Sequence, residues 1–147
     1  MKVKKQLSNL LIVAALVFLE GCATSIPPEV IATADYGPPP PANYQQMIKD
    51  DFAQVLIDPT SPLYSFGSPA KGYTREAPMF GTHQAFGWRV CGTVNSKNRM
   101  GGYTGQVPFF VLFRDGQIVS RTIGEVELTG PSLENAAIMD ACQRTVS

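Results

Sequence analysis

Val107-Pro108-Phe109-Phe110-Val111-Leu112-Phe113-Arg114-Asp115-Gly116-Gln117-Ile118-Val119-Ser120-Arg121-Thr122-Ile123 decides the fold of this chain. From Phe109 to Phe113 every residue is apolar, so neither side of a strand built there can face water, and a central position is predicted. Asp115-Gly116 is a two-residue hairpin signal, because a type I′ turn needs positive φ at both central positions. The chain must then return antiparallel as Gln117–Ile123. Upstream, Phe86, Trp88, Val90 and Val94 alternate with Arg89, Cys91, Thr93 and Asn95, the period of a half-buried strand. A turn-rich segment, Ser96-Lys97-Asn98-Arg99-Met100-Gly101-Gly102, joins that strand to the central one. Leu63–Phe66 reads as a further short strand, and Gly67 to Ala85 as an ordered loop rich in Gly and Pro.

Helices are expected on either side of the strands. Tyr44, Ile48, Phe52, Val55 and Leu56 recur at helical spacing, with Gln45, Lys49, Asp50 and Gln54 opposite. Asn43 is placed to cap this helix, with Gln46 completing a capping box, and Asp58-Pro59 should end it. Asp50-Asp51 could suggest a carboxylate pair, but adjacent helical positions do not face each other, so a solvated charged face is the reading. Ser132 can cap a final helix carrying Leu133, Ala137, Ile138, Ala141 and Cys142. The expected fold is α+β: a three- or four-stranded antiparallel sheet with one N-terminal and one C-terminal helix packed on it.

Lys2, Lys4 and Lys5 precede an unbroken apolar run from Leu10 to Leu19, and Leu19-Glu20-Gly21-Cys22 follows. A basic start, a short apolar core and small residues at its exit make a secretory signal. The ten apolar residues would span about 15 Å as helix, half of a roughly 30 Å hydrocarbon core, too little for a permanent anchor. The end of the run resembles the bacterial lipobox, with Glu20 standing where that family has a small or apolar residue. The resemblance implies cleavage before Cys22, lipid on its thiol with palmitate among the acyl chains, and attachment to the cell envelope. Ala23, next to the lipidated cysteine, implies the outer membrane facing the periplasm rather than inner-membrane retention.

The organisation expected is residues 1–21 as lipoprotein signal, 22–42 as lipidated Cys and Pro-rich tether, and 43–147 as a single domain. The tether holds Ile26-Pro27-Pro28 and Gly37-Pro38-Pro39-Pro40-Pro41, which read as an extended, semi-stiff spacer rather than a PxxP ligand. At about 3.1 Å per residue, such a spacer would reach roughly 60 Å. Loss of residues 1–21 takes three lysines and one glutamate, so twelve basic and twelve acidic residues become nine and eleven. A mature charge near −2 does not suit a nucleic-acid binder.

Two cysteines remain once Cys22 is lipidated. Cys91 and Cys142 read as a disulfide in an oxidising compartment, with two buried free thiols as the alternative. The closed loop of about 50 residues is worth roughly 4 kcal/mol in the chain-entropy model. His83, the single histidine, reads as a loop residue bonded to backbone rather than a site residue. No Gly-x-Ser-x-Gly, zincin or Walker pattern occurs, so no enzyme, cofactor or metal is expected. Lys97 to Gly102 is the nearest approach to an anion cradle, but it lacks the Gly-Lys-Ser/Thr ending and opens no helix, so a strained hairpin loop needing glycine conformations is the reading.

Val94-Asn95-Ser96-Lys97-Asn98-Arg99-Met100-Gly101-Gly102-Tyr103 resembles a Val-Asn-Ala-Lys-Asn-x-x-Gly-Gly-Tyr signature of small exported proteins of Gram-negative bacteria, uncharacterised in function. Ser96 replaces Ala, and Met100 a commoner aromatic. Asp58-Pro59-Thr60-Ser61 resembles the Asp-Pro-x-Ser that follows their first helix. The resemblance implies an exported α+β domain and no catalytic residues. Candidate binding residues are Arg89, Lys97, Asn98, Arg99, Gly101, Gly102 and Tyr103. Arg114 and Arg121 could join the cations in one basic patch, against the alternative of scattered solvated charge. The functional expectation is a membrane-anchored envelope lipoprotein with a structural or accessory binding role, docking to an envelope protein or cell-wall polymer. The rival is an enzyme or small-ligand binder using the Lys97–Tyr103 loop with Tyr73 or His83.

Overall fold

The computed structural model describes residues 26–75, 84–144 and Val146. Cys22 and His83, and hence the lipidation and histidine-site expectations, lie outside the described residues. The described elements are α1 (Pro28–Thr33), α2 (Tyr44–Phe52), β1 (Leu63–Phe66), β2 (Ala70–Tyr73), β3 (Phe86–Asn95), β4 (Val107–Arg114), β5 (Gln117–Ile123) and α3 (Leu133–Gln143). All strand pairs are antiparallel in one open sheet, ordered β1-β3-β4-β5, with β2 also on β3. The fold is α+β, as the hydrophobic pattern requires.

The strand count exceeds the expected three or four. β1 and β2 lie end to end along one edge of β3, the first opposite Gly92–Asn95 and the second opposite Phe86–Arg89. Gly67-Ser68-Pro69 interrupts them, and the Gly67 amide still donates to the Cys91 carbonyl at 2.7 Å. Proline cannot donate to a ladder, so an edge tolerates the break. Part of the expected loop from Gly67 to Ala85 is therefore strand.

The hairpin forms as read: Asp115 has φ +51° and Gly116 +78°. A register shift beside Leu112 and Phe113 leaves Val119 as the extra residue on β5.

β4 is buried on both faces. Phe109, Val111 and Phe113 join Val90, Val94, Ile48 and Phe52 under α2. Phe110 and Leu112 face α3 with Ile138. Phe52 meets Phe109 edge-on at 5.2 Å between ring centroids, which anchors α2 to the start of β4. The regular helix ends at Phe52, earlier than Asp58-Pro59, and single turns carry the chain on to Leu56. The expected cap is also absent: Asn43 makes no side-chain cap bond, and the Gln46 amide donates to Asp50 at 2.7 Å instead. Ser132 does cap α3, accepting from the Asn135 amide at 3.3 Å.

Cys91 on β3 and Cys142 on α3 are joined by a disulfide, with Cα atoms 6.0 Å apart. It fastens one end of α3 to the sheet; Asn135 fastens the other. That side chain, 9% exposed, accepts from the Glu125 amide and donates to the Glu125 carbonyl, both at 2.9 Å.

Part of the expected spacer is folded against the domain. Tyr36 is 5% exposed, meets Phe86 edge-on at 5.6 Å, and donates from its hydroxyl to the Ile31 carbonyl at 2.7 Å. The Trp88 indole donates to the Gly37 carbonyl at 3.0 Å. Arg114 donates to the Asp35 carbonyl and pairs with its carboxylate at 2.7 Å. With Pro28–Thr33 helical, the thirteen steps from Cys22 to Asp35 span at most about 36 Å, well short of the expected reach.

Replacing both Cys91 and Cys142 by Ala should lower stability by about 3–4 kcal/mol, read as a lower urea midpoint. Reductant should have no further effect on that variant. Asn135→Ala, which orphans the Glu125 amide and carbonyl, should cost about 1–3 kcal/mol in the same measurement.

Candidate functional site

Polar or concave chemistry concentrates at the Lys97–Tyr103 loop, at the dispersed cations and in a groove beside α3. In the loop, the Asn98 side chain accepts from the amides of Met100 at 2.9 Å and Gly102 at 3.1 Å, while its own amide donates to the Gly102 carbonyl. Gly101 has φ +82°, a conformation that side chains resist, which accounts for a glycine there. Lys97 and Tyr103 form a β-bridge, and the Lys97 ammonium sits 5.2 Å from the Tyr103 ring centroid. Asn95 closes the base by accepting from the Gly105 amide at 3.1 Å. Much of the loop's polar chemistry is thus turned inward, holding a hairpin extension, rather than outward around a ligand.

The two segments that carry the resemblance meet in space. Tyr103 donates from its hydroxyl to the Ser61 carbonyl at 3.0 Å. Next to it, the Asp58 carboxylate accepts from the Ser61 hydroxyl at 2.6 Å and from the Thr60 hydroxyl and amide at 2.6 and 2.9 Å. These bonds, led by that from Ser61 and assisted by the charge of Lys97, bring its pKa down to about 2. The Asp-Pro-Thr-Ser stretch is therefore a turn that supports the hairpin.

The cations do not share a face. Arg89 lies on the α3 side, donating to the Lys71 carbonyl at 2.6 Å and the Cys142 carbonyl at 2.9 Å. Arg121 lies on the α2 side, paired with Asp51 at 2.7 Å. Asp51 is consequently half-buried rather than on a solvated face, and only Asp50 keeps the exposure expected of both. Arg114 holds Asp35 at the far end of the sheet from Lys97 and Arg99. Arg89 precedes Lys97 by eight residues of extended chain, roughly 26 Å. The candidate set thus divides into Arg89 on one side and the hairpin residues on the other, and no single basic patch forms. Tyr73, opposite Phe86, is likewise at the other end of β3 from the Lys97–Tyr103 loop.

Sequence reasoning passed over a groove of about 720 Å³ between α3, β5 and the chain leaving β2. Phe110, Val119, Ala137 and Ala141 give it apolar walls; Arg75, Asp140 and Arg144 stand around it. Arg144 pairs with Asp140 through two guanidinium bonds and lies 5.5 Å from the Tyr73 ring centroid. The hydrogen bond and charge of Arg144, with a lesser effect of Arg75, hold the Asp140 carboxyl below the ordinary range. Arg89 is behind them: burial first, then repulsion from Arg144, lowers its pKa. The Asp140–Arg144 spacing of four residues was the one readable signal, since it puts both on one helix face. Nothing local marks Arg75.

Among the described residues, no group of three His, Cys, Asp or Glu side chains is placed to hold a metal ion. No family model, curated protein or solved structure matches the chain.

The Asp58 turn has a measurable signature. Because its pKa falls from 3.8 in the unfolded chain to about 2, its support is complete above pH 4 and is lost as pH falls toward 2. An NMR titration should place its carboxyl midpoint near 2, and Asp58→Ala should flatten the acid dependence of stability in that window.

Proposed function

We propose that this protein is a lipid-anchored protein of the bacterial cell envelope with a structural or accessory, non-catalytic role, its domain held near the membrane by a short tether. The observation that carries the reading is the basic-apolar segment ending in Leu19-Glu20-Gly21-Cys22. The Cys91–Cys142 disulfide supports it more weakly, since such bonds persist in oxidising compartments. Docked residues 35–37 bring the tether off one pole of the sheet, where β3 begins and β4 ends.

The opposite pole supports a docking role toward an envelope protein. There the chain exposes Ile57 (64%), Leu63 (58%), Met100 (94%), Leu128 (87%) and Leu133 (90%), contributed by the segments around α2, β1, the hairpin and the start of α3. They come from separate segments, and a partner covering that end would remove their apolar surface from water.

Labelled palmitate should enter the wild-type chain and not Cys22→Ser, and the variant should move from membrane to soluble fractions. A wild-type chain that takes up no label overturns the proposal. Met100→Glu with Leu133→Glu should abolish any crosslink to a partner in native envelopes while leaving lipid incorporation intact.

A further inference from the structure

We propose that the groove beside α3 binds an amphipathic anion, an apolar chain ending in a phosphate or carboxylate. Its volume, about 720 Å³, is that of small-molecule sites, which run from roughly 300 to 1,000 Å³. Its walls and its rim ask for different chemistry. Val119, pushed out of register by the bulge, is 49% exposed, and it faces the groove with Ala137, Ala141 and the edge of Phe110. An apolar chain laid there removes that surface from water.

Among the described residues the rim is unbalanced in charge. Arg75, Arg89 and Arg144 gather around the C-terminal end of α3, and among the described residues Asp140 is the one carboxylate set among them. Arg89 is committed to two backbone carbonyls, and Arg144 to Asp140. Arg75 is exposed and makes no hydrogen bond or ion pair to another described residue. Toward the described residues its guanidinium leaves its donors uncommitted, in the planar fork that matches a phosphate or carboxylate oxygen. Arg89 and Arg144 add positive potential behind it. The assignment does not depend on lipidation at Cys22, although the groove lies at the tether pole: Tyr73 in its wall meets Phe86 at 5.8 Å, and Phe86 meets Tyr36.

The test uses the full chain in phosphatidylcholine nanodiscs, or in plain buffer where it proves soluble. Calorimetry would follow titration with octyl phosphate and with uncharged octyl glucoside, empty discs serving as blank. Octyl phosphate should bind at least about tenfold tighter than the glucoside, and Arg75→Gln should remove that margin, about 1.4 kcal/mol. Val119→Trp, which fills the groove from an exposed position, should abolish binding of both while leaving the circular dichroism spectrum unchanged. Weakened octyl phosphate binding when phosphatidylglycerol enters the disc identifies the membrane as the source of the anion; unchanged binding identifies a soluble one. Equal affinity for the two probes, indifference to Arg75→Gln, or no binding of octyl phosphate overturns the proposal.

Discussion

The burial of β4 on both faces is the constraint on which the remaining structure depends. Phe109, Val111 and Phe113 point one way, Phe110 and Leu112 the other, and none is more than 4% exposed. A single helix could dry only one of those faces. The chain therefore needs a helix before the sheet and another after it, and each must be held where it covers its own set. α2 is held by the Phe52–Phe109 contact and the Asp51–Arg121 pair. The α3 helix offers a smaller apolar contact, chiefly Ile138, and is secured by covalent and polar means at its two ends: Cys142 to Cys91, and Asn135 to the turn after β5. The disulfide is thus placed where hydrophobic area is scarcest, as expected of a small domain with a modest core.

Legibility in the sequence follows from whether a signal is local. The β4–β5 hairpin was readable because Asp115-Gly116 and an apolar run are contiguous, and the Ser132 cap because capping acts over three residues. The disulfide could be read once Cys22 was set aside, by parity alone. The capping box at Asn43 failed for a reason outside its own residues: Gln46 found Asp50 on the next turn. β2 was hidden because Gly67-Ser68-Pro69 punctuates the chain like a loop, while β3 beyond it, distant in sequence, supplies the pairing. The docking of Tyr36 was equally hidden. Phe86, which meets Tyr36, and Trp88, which donates to the Gly37 carbonyl, lie about fifty residues on, and a Pro-rich setting reads as spacer wherever no partner is visible.

The candidate site was less legible still. The Lys-Asn-x-x-Gly-Gly-Tyr stretch drew attention as a site, yet its composition is explained by turn geometry: an Asn accepting two amides, a Gly at positive φ, and a Tyr reaching back to Ser61. Residue types that favour ligand loops also favour tight hairpins, and composition alone does not separate them. Conversely, Arg75, Arg144 and Val119 sit in three separate segments with nothing in common locally. They share a groove because β2, β5 and α3 converge there.

Charge placement shows which cations are available for anything beyond folding. Arg114 holds Asp35, Arg121 holds Asp51, Arg89 bridges the carbonyls of Lys71 on β2 and Cys142 on α3, and Lys97 lies against Tyr103. Each of these side chains joins parts of the fold that are far apart in sequence, or stiffens a loop, so removing one disturbs structure before it disturbs any ligand. Arg75 differs in making no hydrogen bond or ion pair to another described residue while standing beside an apolar hollow. A positive group in water carries little energy toward an anion, but next to a low-dielectric surface the same group is screened less. The neighbouring apolar walls therefore strengthen the attraction as well as receiving the chain, so the anionic and apolar halves of one ligand should reinforce each other.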